Sequence, residues 1–278
     1  MSRTESLALS NRPEIICDNS TTGYVVVEKP LSAIEWASNQ AWLRKLLILV
    51  VLASAWEIYG RLLNDALLFP TFTATAKAFW ENTIDGTIPL RAWTSIRVLL
   101  TGYAIGILFA TLLTAIAIGS RIGTDFLETL TSMFNPLPAI ALLPLALIWF
   151  GLGNGSTVFV LAHSVTWAIA LNTHSGFLSV SSTLRMVGRN YSLSGFGYLR
   201  KILIPAAFPS ILTGLKIGWA FAWRTLIAAE LVFGVNSGSG GLGWFIFENK
   251  NQLEIPSVFA GLLTVILIGL VVENLIFS

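Results

Sequence analysis

A single cysteine, Cys17, stands in 278 residues, so no disulfide forms within the chain and a cysteine-built metal cluster is excluded. Histidine is nearly as scarce. His163 and His174 lie eleven residues apart with no supporting carboxylates, which is not a zinc spacing. Charge is thin as well: 12% of residues are Asp, Glu, Lys or Arg, against about 25% in an ordinary soluble domain. The net charge of +2 is too small to argue for a nucleic-acid partner. None of the six lysines follows a glycine or precedes Ser or Thr, so no phosphate-cradling P-loop is present. The opening residues lack an apolar core and a small-residue cleavage site, so 1–41 reads as a polar tail rather than a cleavable signal. A short interfacial helix is expected near Leu31–Trp42.

Hydrophobic residues, by contrast, make up 54% of the chain, and the mean hydropathy is +0.73. A bilayer core calls for about 20 mostly apolar residues in helical form. Six stretches meet that length, near Leu43–Leu63, Ala92–Gly119, Phe126–Phe150, Ser156–Phe177, Pro209–Val235 and from Pro256 onward. Asn135, Pro136, Pro138 and Pro144 are expected to kink or interrupt the third. No internal repeat of the inverted-repeat transporter kind is visible. The reading is an all-α integral membrane protein of about six spans, comprising the tail and a membrane domain over 42–278.

Basic residues near span ends set the expected orientation. Arg44 and Lys45 precede the first span. The connection between the fourth and fifth spans carries Arg185, Arg189, Arg200 and Lys201 without an acid. The Asn64–Leu90 connection instead carries Asp65, Glu81 and Asp85 against Lys77, and the Asn236–Ile255 loop carries Glu248 and Glu254 against Lys250. These counts predict a cytoplasmic N-terminus and a cytoplasmic basic connection.

That connection, Ser181–Pro205, is the most informative stretch. Ser182 to Tyr191 forms a short helix with Leu184, Val187 and Tyr191 on one side, and Ser194 caps a second bearing Phe196, Leu199 and Leu203. Two stubby amphipathic helices suit either a groove on a cytoplasmic partner or the lipid headgroups. Periodicity leaves both open.

The run from Met186 to Pro205 resembles the coupling-loop motif of binding-protein-dependent ABC permeases: Glu-Ala-Ala, three residues, Gly, nine residues, then Ile-x-Leu-Pro. Ile202 and Pro205 match; Ile204 takes the Leu place, Met186-Val187-Gly188 the Glu-Ala-Ala place, and Ser192 the usual Gly. The likeness runs over roughly residues 65 to 278. It includes Phe69 to Thr73, Ser95 to Gly102, Asn135 to Pro138, Leu143-Pro144, Trp149 to Gly151, and Leu203 to Gly218 with Ala229-Glu230-Leu231. The Trp219–Gly234 stretch is similar to cyanobacterial nitrate permeases in particular, with bicarbonate, taurine and sulfonate permeases as relatives.

The resemblance implies a type I ABC importer permease fold with its core over 92–278 and its coupling loop at 181–205. It implies a multi-pass protein of a bacterial, cyanobacterial inner membrane that imports nitrate, with nitrite alongside. Its partners would be a second copy of itself, two cytoplasmic ATPase subunits and an extracytoplasmic substrate-binding protein. ATP and Mg would bind to the ATPases, leaving this chain without cofactor, metal or catalytic residue. Ser182, Arg185, Met186, Val187, Gly188, Tyr191, Ser192, Leu193, Gly195 and Phe196 become the expected ATPase-coupling residues. On hydropathy alone, an ATPase-independent channel or secondary transporter, or an anchor with no pathway, competes with this reading.

Charges inside spans are costly and usually face protein or water. At 100° per residue, Lys216, Trp219, Trp223, Ile227 and Glu230 share one stripe of the fifth span, with Arg224 on its flank. Lys216 snorkels from the inner end. Arg224 sits near mid-membrane, and its planar fork suits a trigonal oxyanion. Arg224, Glu230, Trp223, Trp219 and His163 are therefore the expected pathway residues. The competing roles are an Arg224–Glu230 ion pair and a hydrogen-bonded packing role for His163. Arg97 is expected to snorkel or pair, and Glu57 to be interfacial. Gly102–Gly106 and Gly214–Gly218 have the close-packing spacing of membrane helices. Gly238–Gly243 matches a dinucleotide fingerprint only as a string, because a span rather than a strand precedes it.

Overall fold

The computed structural model describes residues 40–233 and 240–276. The expected tail up to position 39, with Cys17 and most of its interfacial helix, falls outside these residues, as do 234–239, the end of the fifth span and the start of the loop that follows it. The chain divides into two compact units, Met1–Val51 and Leu52–Ser278. The description below concerns the second unit, apart from the first half of the first helix.

No strand occurs among the described residues. The helices are α1 (Ala41–Leu63), α2 (Phe72–Ile84), α3 (Thr87–Gly119), α4 (Arg121–Phe134), α5 (Leu143–Phe150), α6 (Asn154–Leu178), α7 (Ser182–Asn190), α8 (Gly195–Tyr198), α9 (Ile204–Phe233), α10 (Leu242–Asn251) and α11 (Ile255–Ile276). Five helical stretches are long and apolar enough to span a bilayer, and a sixth span is completed if α4 and α5 count as one. The protein is an all-helical, multi-pass membrane protein.

Helix α6 is the hub, with 56% of its apolar window buried against 28% for α3 and 17% for α11. Lipid tails are as apolar as leucine, so helices in a bilayer associate through close van der Waals packing instead. The glycine pairs supply that closeness on two sides of α6. A Cβ at Gly102 would lie 2.5 Å from Leu161 Cβ, and one at Gly106 2.5 Å from Val165 Cβ. On the α9 side, a Cβ at Gly214 would lie 2.9 Å from Asn172 Cβ, and one at Gly218 3.1 Å from Ile169 Cγ1.

The third span is interrupted, as its prolines predict: α4 and Ala139–Phe150 meet at 87°. Pro136 and Pro138 donate no backbone hydrogen bond, so the helix stops at Phe134 and restarts through a 3-10 turn at Ala139–Leu142. One expectation needs correcting: the second stubby helix of the basic connection is not a separate rod. Residues Gly195–Val232 run as one helical stretch, with a π turn at Leu199–Leu203 immediately before Pro205. Such single-turn bulges relieve local strain in a helix without ending it.

The acidic connections also contain helices. Thr71 caps α2, its hydroxyl accepting from Ala74 N at 3.2 Å. Glu57 of α1 accepts from Thr73 N at 2.9 Å and from Arg61 Nε at 2.7 Å. Trp56 Nε1 donates to Pro70 O at 2.9 Å. Glu57 therefore ties the end of α1 to the first turn of α2.

Candidate functional site

The elbow between α4 and α5 positions the candidate site. Irregular backbone at membrane depth is tolerated where it is buried in protein or lines a watery cavity. The elbow, residues 134–140, borders a cavity of about 330 Å³ whose other wall includes His163, Ser164 and Trp167 of α6 and Phe221, Arg224, Thr225 and Ala228 of α9. No carboxylate among the described residues lines it. Arg224 makes no hydrogen bond or ion pair among the described residues, so its five donors are available to this space. Nine residues separate Arg224 from the end of α9 at Phe233, about 14 Å at 1.5 Å per residue.

The stripe on α9 divides. Lys216, Trp219, Trp223 and Arg224 line a second, smaller cavity of about 180 Å³ with Gly269 and Glu273 of α11. Lys216 Nζ pairs with Glu273 at 3.2 Å. Trp223 is buried, and Trp219 meets Tyr103 edge to face at 5.5 Å. Tyr103 OH donates to Leu215 O at 2.8 Å, joining α3 to α9.

Glu230 does not pair with Arg224. Its carboxylate accepts from Ser95 Oγ at 2.8 and 2.9 Å and from Gly243 N at 2.8 Å. Ser95 Oγ accepts in turn from Leu242 N at 2.8 Å. A carboxylate and a hydroxyl thus satisfy the first free N–H groups of α10, where the helix dipole favours negative charge. Gly241 and Gly243 leave the room: a Cβ on Gly241 would collide with the Glu230 carboxylate and Ser95 Oγ, and one on Gly243 would lie 2.6 Å from Glu230 Cβ. The described part of the glycine-rich string is therefore a helix start locked to α3 and α9. Arg91 adds a second tie, to Gly240 O at 3.0 Å and Glu248 Oε2 at 3.4 Å.

His163 has no hydrogen-bond partner among the described residues at either ring nitrogen. Arg97 is exposed on α3, and its side chain forms no polar contact among the described residues.

In the basic connection, Ser181 caps α7, its hydroxyl accepting from Leu184 N at 3.4 Å. Arg185 turns inward, donating to Phe177 O at 2.7 Å and Val180 O at 3.1 Å, the free carbonyl end of α6. Gly188 is buried under Tyr198, whose ring would lie 2.7 Å from a Cβ there. Ser192 and Gly195 both take left-handed conformations, with φ of 53° and 52°. That explains why glycine suits the Ser192 position. Leu184, Met186, Val187, Tyr191 and Phe196 are all exposed, an apolar surface on this connection. Ser182 is exposed and Leu193 half-buried beside them.

Sequence reasoning missed Arg91, Ser95 and Trp167. Arg91 follows directly on a stretch taken as acidic loop, and one serine in an apolar helix carries no periodic signal. Trp167 read as one more apolar residue of its span.

A bundle of membrane-spanning helices, with a broken span beside a cavity and an apolar surface on one connection, has the build of a membrane transport component. The chain belongs to the family of binding-protein-dependent transport system inner membrane components, which matches it over residues 102–276. A Methanocaldococcus jannaschii protein designated an ABC transporter permease is 30% identical over 228 residues, 79% of this chain and 82% of its own. The nitrate import permease protein of a Synechocystis strain is 34% identical over 182 residues, 64% of each chain. The taurine transport system permease protein of Escherichia coli is 28% identical over 235 residues, 81% of this chain and 82% of its own. Members of such a family are transport components rather than enzymes.

Proposed function

We propose that this chain is the membrane-spanning permease subunit of an ATP-driven importer that carries nitrate, with nitrite alongside, into a bacterial cell by alternating access. The observation that carries the reading is the cavity at the elbow, where Arg224, unpartnered among the described residues, faces a lining in which no described residue is a carboxylate. A guanidinium offers two parallel donors to a planar oxyanion. His163 borders the same cavity, while Trp219 and Trp223 support Arg224 from the neighbouring one. Glu230 acts from the end of the pathway by holding α10.

The working unit on this reading is two copies of this chain, two cytoplasmic ATPases that hold ATP and Mg, and an extracytoplasmic binding protein. The N-terminus and Ser181–Pro205 face the cytoplasm, and the chain itself carries no cofactor. The ATPases grip the exposed faces of Ser182, Met186, Val187, Tyr191 and Phe196, while Arg185 and Gly188 hold α7 in place and Ser192, Leu193 and Gly195 shape the turn. The unbroken helical run from Gly195 to Val232 supports coupling, because a push at Phe196 travels along a single rod to Arg224. Sulfonate import is the second reading, favoured by the broad coverage of the taurine relative.

Proteoliposomes holding the permease with its ATPases and binding protein test both. Nitrate is expected to stimulate ATP hydrolysis and to be taken up, while taurine and bicarbonate are not. Stimulation by taurine alone would transfer the assignment to sulfonates. Uptake that persists after loss of the ATPase catalytic glutamate would remove the ATP-driven reading.

A further inference from the structure

The Arg224 cavity has a neighbour. A larger apolar cavity of about 690 Å³ shares His163 and Trp167 with it and is bordered by Ile105 and Phe109 of α3, Leu130 of α4 and Phe159 of α6. His163 and Trp167 line both spaces. Phe134, the last residue of α4, lies against them: its ring stacks on Trp167 at 5.2 Å and 13°, and meets His163 edge to face at 6.0 Å. The His163 and Trp167 rings are 5.9 Å apart. These three rings form one aromatic plug at the elbow.

The plug is apolar outside and polar within. Both ring nitrogens of His163 and Nε1 of Trp167 are buried without a hydrogen-bond partner among the described residues. Buried polar groups are nearly always satisfied, and each exception calls for an explanation. Three orphaned nitrogens in one cluster, beside the guanidinium of Arg224, point to donors directed at a ligand.

We propose that Phe134, His163 and Trp167 form a gate on the anion path, and that His163 and Trp167 are its second anion-contacting pair. Phe134 is the hinge-side lid, attached to the Asn135–Pro138 break. When the elbow moves, Phe134 leaves the other two rings, and their N–H groups face the Arg224 cavity and donate to the oxyanion held there. Arg224 supplies the charge and the two rings supply neutral donors, a set that fits a small monoanion with only acceptor oxygens. The inference rests on the reading that the Arg224 cavity lies on the transport path.

The test uses the full complex in liposomes, with nitrate uptake and ATP hydrolysis measured side by side. Trp167→Phe keeps an aromatic ring and deletes only the indole N–H. It is expected to lower nitrate uptake per ATP by about tenfold, the scale of one hydrogen bond to a charged group, while ATP hydrolysis persists. His163→Phe is expected to do the same, and His163→Gln, which retains a donor, to recover most of the uptake. Phe134→Ala leaves all the nitrogens in place and opens the lid. Nitrate efflux without ATP is expected to rise by about tenfold or more from loosened gating. If Trp167→Phe and His163→Phe transport normally while Arg224→Ala abolishes uptake, the gate proposal is overturned and the pathway reading stands. If Arg224→Ala also transports normally, the pathway reading itself fails. Should a ring variant fail to assemble with the ATPases, the Phe134→Ala efflux decides alone, and an unchanged leak overturns the gate.

Discussion

Replacing Ser95 with alanine isolates the polar lock at the start of α10. Ser95 is completely buried, and serine and alanine differ by one oxygen, so packing changes little. Two hydrogen bonds disappear: Ser95 Oγ to the Glu230 carboxylate at 2.8 Å, and Leu242 N to Ser95 Oγ at 2.8 Å. The first is charge-assisted and contributes about 1.5–3 kcal/mol, and stranding the Leu242 N–H costs about 1–3 kcal/mol more. Glu230 retains Gly243 N, and Arg91 still holds Gly240 O, so α10 is loosened rather than released. The local opening free energy should fall by about 3–5 kcal/mol, which is more than a hundredfold in the opening equilibrium. Hydrogen exchange on the purified complex reads this directly. Amides of Leu242 and Gly243 should exchange more than a hundredfold faster in Ser95→Ala, while those in the middle of α6 keep their protection. Exchange at Leu242 and Gly243 within threefold of wild type would refute the assignment of Ser95 as the pin.

Other perturbations probe separate features. Gly106→Ala should destabilise the bundle by about 1–3 kcal/mol through overpacking, since the new methyl meets Val165 Cβ at 2.5 Å. Pairing it with Val165→Gly, which removes that Cβ, should recover part of the loss in a denaturation series. At the turn after α7, Gly195→Ala should cost about 1–2 kcal/mol because φ is 52°, whereas Ser192→Gly should be neutral or stabilising, as thermal unfolding of the two variants would show. Tyr191→Ala and Phe196→Ala, both highly exposed, should change stability by less than about 0.5 kcal/mol yet lose ATPase co-purification. Retained binding would move the docking surface elsewhere.

The spans were legible because bilayer thickness imposes a length that hydropathy reads directly. The break near Pro136 and Pro138 was equally readable, since proline removes a donor wherever it stands. Its 87° angle was not, because that depends on what the two pieces pack against. The basic connection announced itself by charge. The continuity of its second half with α9 was hidden, because Pro205 and Pro209 look like stops and a π turn admits the first without a break. Arg224 stood out as a charge in an apolar run, but its neighbours across the cavity came from segments 57 to 90 residues away.

Sequence alone therefore determined the membrane class, the spans, the coupling-loop resemblance and the charges worth following, all properties of short stretches in contact with lipid or water. Only the tertiary structure decided that Glu230 locks onto Ser95 and Gly243 rather than Arg224, and that His163, Trp167 and Phe134 gather beside the elbow. Those pairings depend on which faces of distant helices meet, and the meeting is set by glycine contacts and a bend angle that no local pattern encodes.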